Sequence, residues 1–234
     1  MLIPSQSWGE DIAIDSSLVK LNLDAIKQNI AHYNVKIIAV TKYFGLNAIK
    51  AGYEAGLRNF AESRAVESIQ KIENLPSEVR ENSTFHFIGH LQSNKADKVV
   101  KYFDVIHSVD SLKIASAISK SACSLNKREK VFLQVNNAGE EQKSGFSKEQ
   151  LKKEMKDILS LEGIEVIGLM NMAPLGASEE ELKKLFKDIR EFRDELKKEF
   201  DIALDELSMG MSDDYKVAVK EGATMIRIGR KLFT

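Results

Sequence analysis

The stretch Lys36-Ile37-Ile38-Ala39-Val40-Thr41-Lys42 decides the fold. Residues 37–40 are apolar without a break, two of them Ile and one Val, which reads as a strand buried on both faces in a parallel sheet. Tyr43-Phe44-Gly45 end the run and an amphipathic segment, 46–55, follows. Lys42 therefore stands where the carboxyl end of a strand meets its loop, the end at which α/β folds bind ligands. Apolar surroundings disfavour the charged form of a lysine and leave more neutral amine to attack an aldehyde. A strand-terminal lysine can equally extend its ammonium past the rim into water, so the weight given to Lys42 depends on the rest of the chain.

A chain of 234 residues with 43% hydrophobic residues can bury a large core. Its net charge of −1 gives no general electrostatic reason to expect nucleic acid or an acidic membrane surface as partner. No apolar run approaches the roughly 20 residues of a membrane span. The first residues carry acid where a signal peptide carries base, so residues 1–15 read as a loosely ordered leader of a soluble cytoplasmic chain. One cysteine, Cys123, excludes an internal disulfide framework and fits a reducing compartment; within the Ser/Ala-rich helix 111–125 it reads as a small buried or half-buried residue.

Ser16-Ser17 can cap a helix, and Val19, Leu23, Ile26, Ile30 and Tyr33 continue it as one stripe ahead of the first strand. Further strands follow at 56–61, 84–88, 104–108, 130–135, 163–170, 204–209 and 224–228. Helical stripes separate them, among them Val66, Ile69 and Ile72, with Pro76 closing that unit, and the long run from Leu182 to Phe200 with its Lys and Glu on the outer face. Eight β-α units in strict alternation predict one domain over 1–234: a closed (β/α)8 TIM barrel with an extra N-terminal helix. A doubly wound open sheet is the alternative, but Thr41-Lys42-Tyr43-Phe44-Gly45 is not the glycine-rich dinucleotide turn that fold would place there.

The loops at the strand ends share one face. Ser208-Met209-Gly210-Met211-Ser212 leaves strand seven, and Arg227-Ile228-Gly229-Arg230 leaves strand eight. Barrel phosphate sites use the loops after these two strands, where a hydroxyl and free backbone amides converge. Ser212 could instead be only a helix N-cap, and Asp213 and Asp214 would repel a phosphate, a repulsion that Arg230 would partly offset. A strand-end lysine, a phosphate cradle and Arg227 between them fit pyridoxal 5′-phosphate (PLP). An arginine stays protonated and can only donate, so Arg227 at the pyridine nitrogen would keep that nitrogen unprotonated and the ring a weak electron sink. His86 and His90 lie on a strand and a turn without a Cys or carboxylate cluster, so no metal site is expected and His86 reads first as a satisfied near-core histidine. Asn136, Lys143, Ser144 and Gly145 form a polar loop for which anion recognition and ordinary turn chemistry stand level.

From about residue 18 to 233 the chain resembles the YggS/PROSC family of pyridoxal phosphate homeostasis proteins, related to the barrel domain of alanine racemase. The motifs that carry the resemblance include Ala39-Val40-Thr41-Lys42, Phe60-Ala61-Glu62-Ser63-Arg64, His86-Phe87-Ile88-Gly89-His90-Leu91-Gln92-Ser93-Asn94-Lys95, His107-Ser108-Val109-Asp110, Lys143-Ser144-Gly145-Phe146, Gly168-Leu169-Met170, Leu207-Ser208-Met209-Gly210-Met211-Ser212-Asp213 and Arg227-Ile228-Gly229. The resemblance implies an alanine-racemase N-terminal-type barrel with Lys42 as the Schiff-base lysine. It also implies a phosphate held by Ser212 with the amides of Gly229 and Arg230, Arg227 at the pyridine nitrogen, Met170 and His86 lining the ring, and Ser208 within the cofactor-binding set. Arg230 stands where a threonine is common, and Ala61 where many members have glycine. The function implied is a monomeric PLP-binding protein of vitamin B6 and amino-acid homeostasis that passes cofactor to PLP-dependent apo-enzymes without robust catalysis. A low-activity amino-acid racemase and a Schiff-base aldolase acting on a sugar phosphate are the alternatives.

Overall fold

The structure is a computed structural model, and it describes residues 13–139 and 144–234. Its centre is a closed barrel of eight parallel strands in sequential order: β1 (Lys36–Val40), β2 (Asn59–Glu62), β3 (Thr84–Phe87), β4 (Val105–Val109), β5 (Glu129–Gln134), β6 (Ile164–Met170), β7 (Glu206–Ser208) and β8 (Met225–Ile228). The ring closes where β8 pairs with β1, with Ile38 opposite Arg227 and Ala39 opposite Ile228. The expected (β/α)8 barrel is therefore the fold.

Strand alternation sorts the β1 residues. Ile37 and Ala39 point outward into the main core against the helices, whereas Ile38 and Val40 point inward and join Ala61, Phe132, Met170 and Met225 in the barrel lumen. Continuing that inward series by two residues reaches Lys42 at the carboxyl rim. The outer layer comprises α1 (Ser16–Asn29), α2 (Leu46–Glu54), α3 (Ala65–Glu73), α4 (Ser77–Glu81), α5 (Ala96–Tyr102), α6 (Leu112–Ser124), α7 (Lys148–Leu159), α8 (Glu179–Phe200), α9 (Tyr215–Lys220) and α10 (Arg230–Phe233). Asp15 caps α1 by accepting from the Ser17 amide, and Ser178 with Glu181 forms a capping box at the start of α8. Among the described residues no helix is long and apolar enough to cross a membrane.

Several expectations change. α1 ends at Asn29, so Tyr33 lies beyond it and is exposed; Val66 likewise points to water. Pro76 does not close its unit but precedes the short helix α4, a use of proline suited to a helix start. Cys123 is exposed on the outer face of α6. A composition of small residues shows that a helix can pack closely but not which of its faces does. The leader, apart from residues 13–15, and Lys143 lie outside the described residues.

Candidate functional site at the carboxyl end of the barrel

Two buried clusters position the groups around the barrel mouth. On the β1 side, Glu62 at the end of β2 and Lys71 on α3 form an ion pair of 2.7 Å in which both side chains are almost fully buried. Lys71 Nζ also donates to the Thr41 carbonyl at 3.0 Å, and the Thr41 hydroxyl donates to Glu62 at 2.7 Å. The residue before Lys42 is thus held by backbone and side chain together, and Thr41 N–H adds a ladder bond to the Ala61 carbonyl. Lys42 itself is half-buried, with its ammonium 5.0 Å above the Tyr43 ring.

On the opposite side, Arg227 points into the lumen from β8 and is buried. Its Nη1 donates to the Ser208 carbonyl and hydroxyl, both at 2.7 Å, and Nη2 to the Asn171 carbonyl at 2.8 Å. Burial pushes its pKa down to about 10, against the pull of Asp214, so it is a cation at neutral pH. The strand-seven exit turns at Gly210, whose φ of +92° favours glycine and where a Cβ would lie 2.6 Å from that of Ala218.

Ser212 is not the N-cap of α9, which is Asp214. The Ser212 hydroxyl instead accepts from the Gly229 amide at 3.4 Å, which ties the two loops together. Asp214 Oδ1 accepts from the Met211 amide, so this carboxylate is turned back into its own loop; burial raises its pKa. Asp213 is exposed at the rim.

Between these clusters lies a cavity of about 260 Å³ lined by Lys42, Met170, Ser212, Arg227, Gly229 and Arg230, with Val40, Tyr43, Ile88, Met172, Leu175 and Met211 forming much of its apolar wall. At Gly229 an added Cβ would find only ordinary contacts, the nearest 3.6 Å away on the Val40 carbonyl. The protein's own packing does not require glycine there. The missing side chain instead opens the cavity over the backbone between Ser212 and Arg230, as a bound phosphate needs. An amine, an anion cradle and a buried cation donor on three sides of an apolar slot fit a flat, phosphorylated aromatic aldehyde.

Six of the eight residues expected in the site reach this cavity or its wall: Lys42, Met170, Ser212, Arg227, Gly229 and Arg230. His86 and Ser208 do not line it. Strand alternation points His86 inward, one layer below Ile88, which takes the wall position. His86 faces the amino-end cavity beside Asn59 and Lys36, so its expected place against the ring is corrected. Ser208 lies beneath Arg227 and touches the cavity only through it. Asn171, one residue past the Gly168-Leu169-Met170 motif, and Lys71 went unnoticed in the sequence. An acceptor carbonyl has no side-chain signature, and a helical lysine reads as solvent-facing. In the β5 loop, the Ser144 carbonyl accepts from Gln134 Nε2, and the Asn136 amide donates to the Phe146 carbonyl. Among the described residues no group of His, Cys, Asp and Glu is disposed to hold a metal ion.

A sequential eight-strand barrel with this strand-end constellation defines a protein of the alanine-racemase barrel class, and residues 14–234 match the family model of the alanine racemase N-terminal domain. Within that class the chain belongs to the family of pyridoxal phosphate homeostasis proteins. It is 42% identical over 200 residues to the member from Synechocystis sp., covering 86% of this chain and 91% of that protein. It is 39% identical to the member from Aquifex aeolicus, covering 85% and 86%. The solved structure of PipY from Synechococcus elongatus with PLP bound matches with a TM-score of 0.84 at 38% identity, covering 92% of this chain and 100% of that one.

Proposed function

We propose that this chain binds PLP in the carboxyl-end cavity, with Lys42 as the amine that captures the cofactor's aldehyde, and serves the cellular balance of PLP and amino acids. One observation carries the reading: Lys42, the Ser212–Gly229 cradle and Arg227 border a single cavity. When bound, PLP supplies an electrophilic aldehyde and, if its ring nitrogen is protonated, an electron sink. Lys42 would hold the aldehyde carbon. Ser212 and the amides of Gly229 and Arg230 would hold the phosphate, and Met170 would pack on the ring.

Arg227 governs the kind of chemistry available. Three of its N–H groups are committed to Ser208 and Asn171, which leaves two of a guanidinium's five for the cavity. Both can only donate, so a ring nitrogen facing them keeps its lone pair. Such a site retains the cofactor and stabilises carbanions weakly, which favours storage and delivery over racemisation. PLP-dependent apo-enzymes are the recipients this reading implies, and a single cysteine suits a reducing cytoplasm.

The test is the visible absorption spectrum of the purified protein with added PLP, before and after borohydride, alongside Lys42→Ala. The expected result is a bound-chromophore band that reduction abolishes and the substitution removes. A protein that takes up no PLP would overturn the reading. Delivery is tested separately by mixing the loaded protein with an apo-enzyme and following recovery of the apo-enzyme's activity.

A further inference from the structure

Beneath the cavity an unbroken file of buried polar groups crosses the barrel lumen. Arg227 Nη1 meets Ser208 Oγ at 2.7 Å, Ser208 Oγ meets His107 Nδ1 at 2.9 Å, His107 Nε2 meets His86 Nδ1 at 2.9 Å, and His86 Nε2 meets Asn59 Oδ1 at 3.1 Å. Ser208, His107 and His86 are all within 1% of full burial. The file starts at the proposed cofactor cavity and ends at the cavity on the amino-terminal side of the barrel.

The chemistry of the first member sets the direction of every bond. A guanidinium only donates, so Ser208 Oγ must accept from Arg227. The serine hydroxyl proton then has His107 Nδ1 as its acceptor. Reversing the file would direct an N–H of His107 at Ser208 and leave that hydroxyl proton buried without an acceptor, the costly arrangement for a buried donor. His107 therefore carries its proton on Nε2 and donates to His86 Nδ1, and His86 carries its own on Nε2 and donates to Asn59 Oδ1. Both rings are neutral: burial drives His86 down to about 3 with Lys36 adding to the shift, and burial drives His107 well below the ordinary histidine range, with His86, Arg227 and Lys36 contributing. Phe132 stacks on His107 at 4.3 Å between ring centres and fixes its plane.

We propose that Ser208, His107, His86 and Asn59 form a one-way hydrogen-bond relay of positioning residues that locks the Arg227 guanidinium in register with the cofactor ring. The relay would give Ser208 and His86, which do not border the cavity, a part in holding a residue that does. A pair of histidines serving only as core filler would need no common tautomer and would have no effect on a ligand bound above Arg227. The role as stated rests on the PLP reading, but the tautomers do not.

The test uses the full chain labelled with ¹⁵N-histidine, without ligand and then with PLP. Expected at pH 7 are two neutral Nε2–H rings for His86 and His107, both with a hydrogen-bonded Nδ1. Either ring found as the Nδ1–H tautomer or protonated would overturn the relay, whether or not PLP binds. In Ser208→Ala, the His107 Nδ1 resonance should move to that of a nitrogen without a donor. The bound-cofactor absorption band should shift, and the PLP dissociation constant should rise, because the Arg227 guanidinium loses one of the bonds that hold it in place. Ser208→Thr, which returns the hydroxyl, should restore the His107 Nδ1 resonance. If Ser208→Ala alters neither the His107 resonance nor the cofactor band, the relay is refuted even with PLP binding intact. If the wild-type protein shows the tautomers but takes up no PLP, the functional reading fails and the lumen geometry stands.

Discussion

The two sides of the cavity are built on opposite electrostatic plans. Behind Lys42 the buried support is a closed ion pair, Glu62 with Lys71, in which Glu62 also accepts from the Thr41 and Ser68 hydroxyls and Lys71 also donates to the Thr41 carbonyl. Beneath Arg227 the support is uncharged, a file of hydroxyl, imidazoles and amide that accepts from the guanidinium without neutralising it. The contrast follows from what each side has to present. The Lys42 side needs only a fixed backbone, and a charge pair can grip a carbonyl firmly at no cost to the cavity. On the reading proposed above, the Arg227 side keeps a cation facing a ring nitrogen, and a carboxylate directly below it would draw off that charge.

Lys71→Met breaks the first plan most severely, because it leaves Glu62 as a buried unpaired carboxylate. Urea unfolding should show a loss of about 3–5 kcal/mol, with much of it recovered when Glu62→Gln is added, since glutamine keeps an acceptor for the Thr41 hydroxyl. The second plan is exposed by acid. His86 and His107 bind protons less readily folded than unfolded, so their contribution is fully present above about pH 6.5 and is lost as pH falls toward the folded value, about 3 for His86. Stability measured at pH 7, 6 and 5 should fall, for each histidine, by about 0.7 kcal/mol between pH 7 and 6 and by about 1.2 kcal/mol between pH 6 and 5, approaching the limiting slope of about 1.4 kcal/mol per pH unit below that, and His86→Gln should remove about half of the loss.

Smaller effects separate the cradle from its rim. Ser212→Ala should weaken PLP binding about tenfold, because it removes both a hydroxyl donor and the acceptor that orients the Gly229 amide; fluorescence titration measures this. Arg230→Thr should change the same constant by less than about threefold, because Arg230 is exposed and its backbone amide survives the substitution. A larger loss would mean that the guanidinium itself grips the phosphate.

The depth of residues in the lumen was the least legible property. The resemblance put His86 against the ring, and position along a strand carries no vertical scale in the barrel that could have corrected it. The level of a residue depends on barrel stagger and strand register, which only pairings such as Asn59 with Thr84 and Ile38 with Arg227 reveal. The helix faces at Val66 and Cys123 were misjudged for a related reason: small or isolated apolar residues do not define which side of a short helix meets the sheet.

The sequence by itself determined the alternation of eight buried strands with amphipathic helices, and hence the barrel. It also placed Lys42, Ser212, Arg227 and Gly229 at strand ends that the topology gathers on one face. These are properties of local periodicity and of loop chemistry, both written along the chain. Only the tertiary structure decided that Lys71 crosses from a helix to hold the Thr41 carbonyl and that Asn59, His86, His107 and Ser208 form a single file from β2, β3, β4 and β7. Those bonds join residues 21 to 101 positions apart in the chain. Closure of the barrel brings them within hydrogen-bond distance, and burial then requires each donor to find its acceptor.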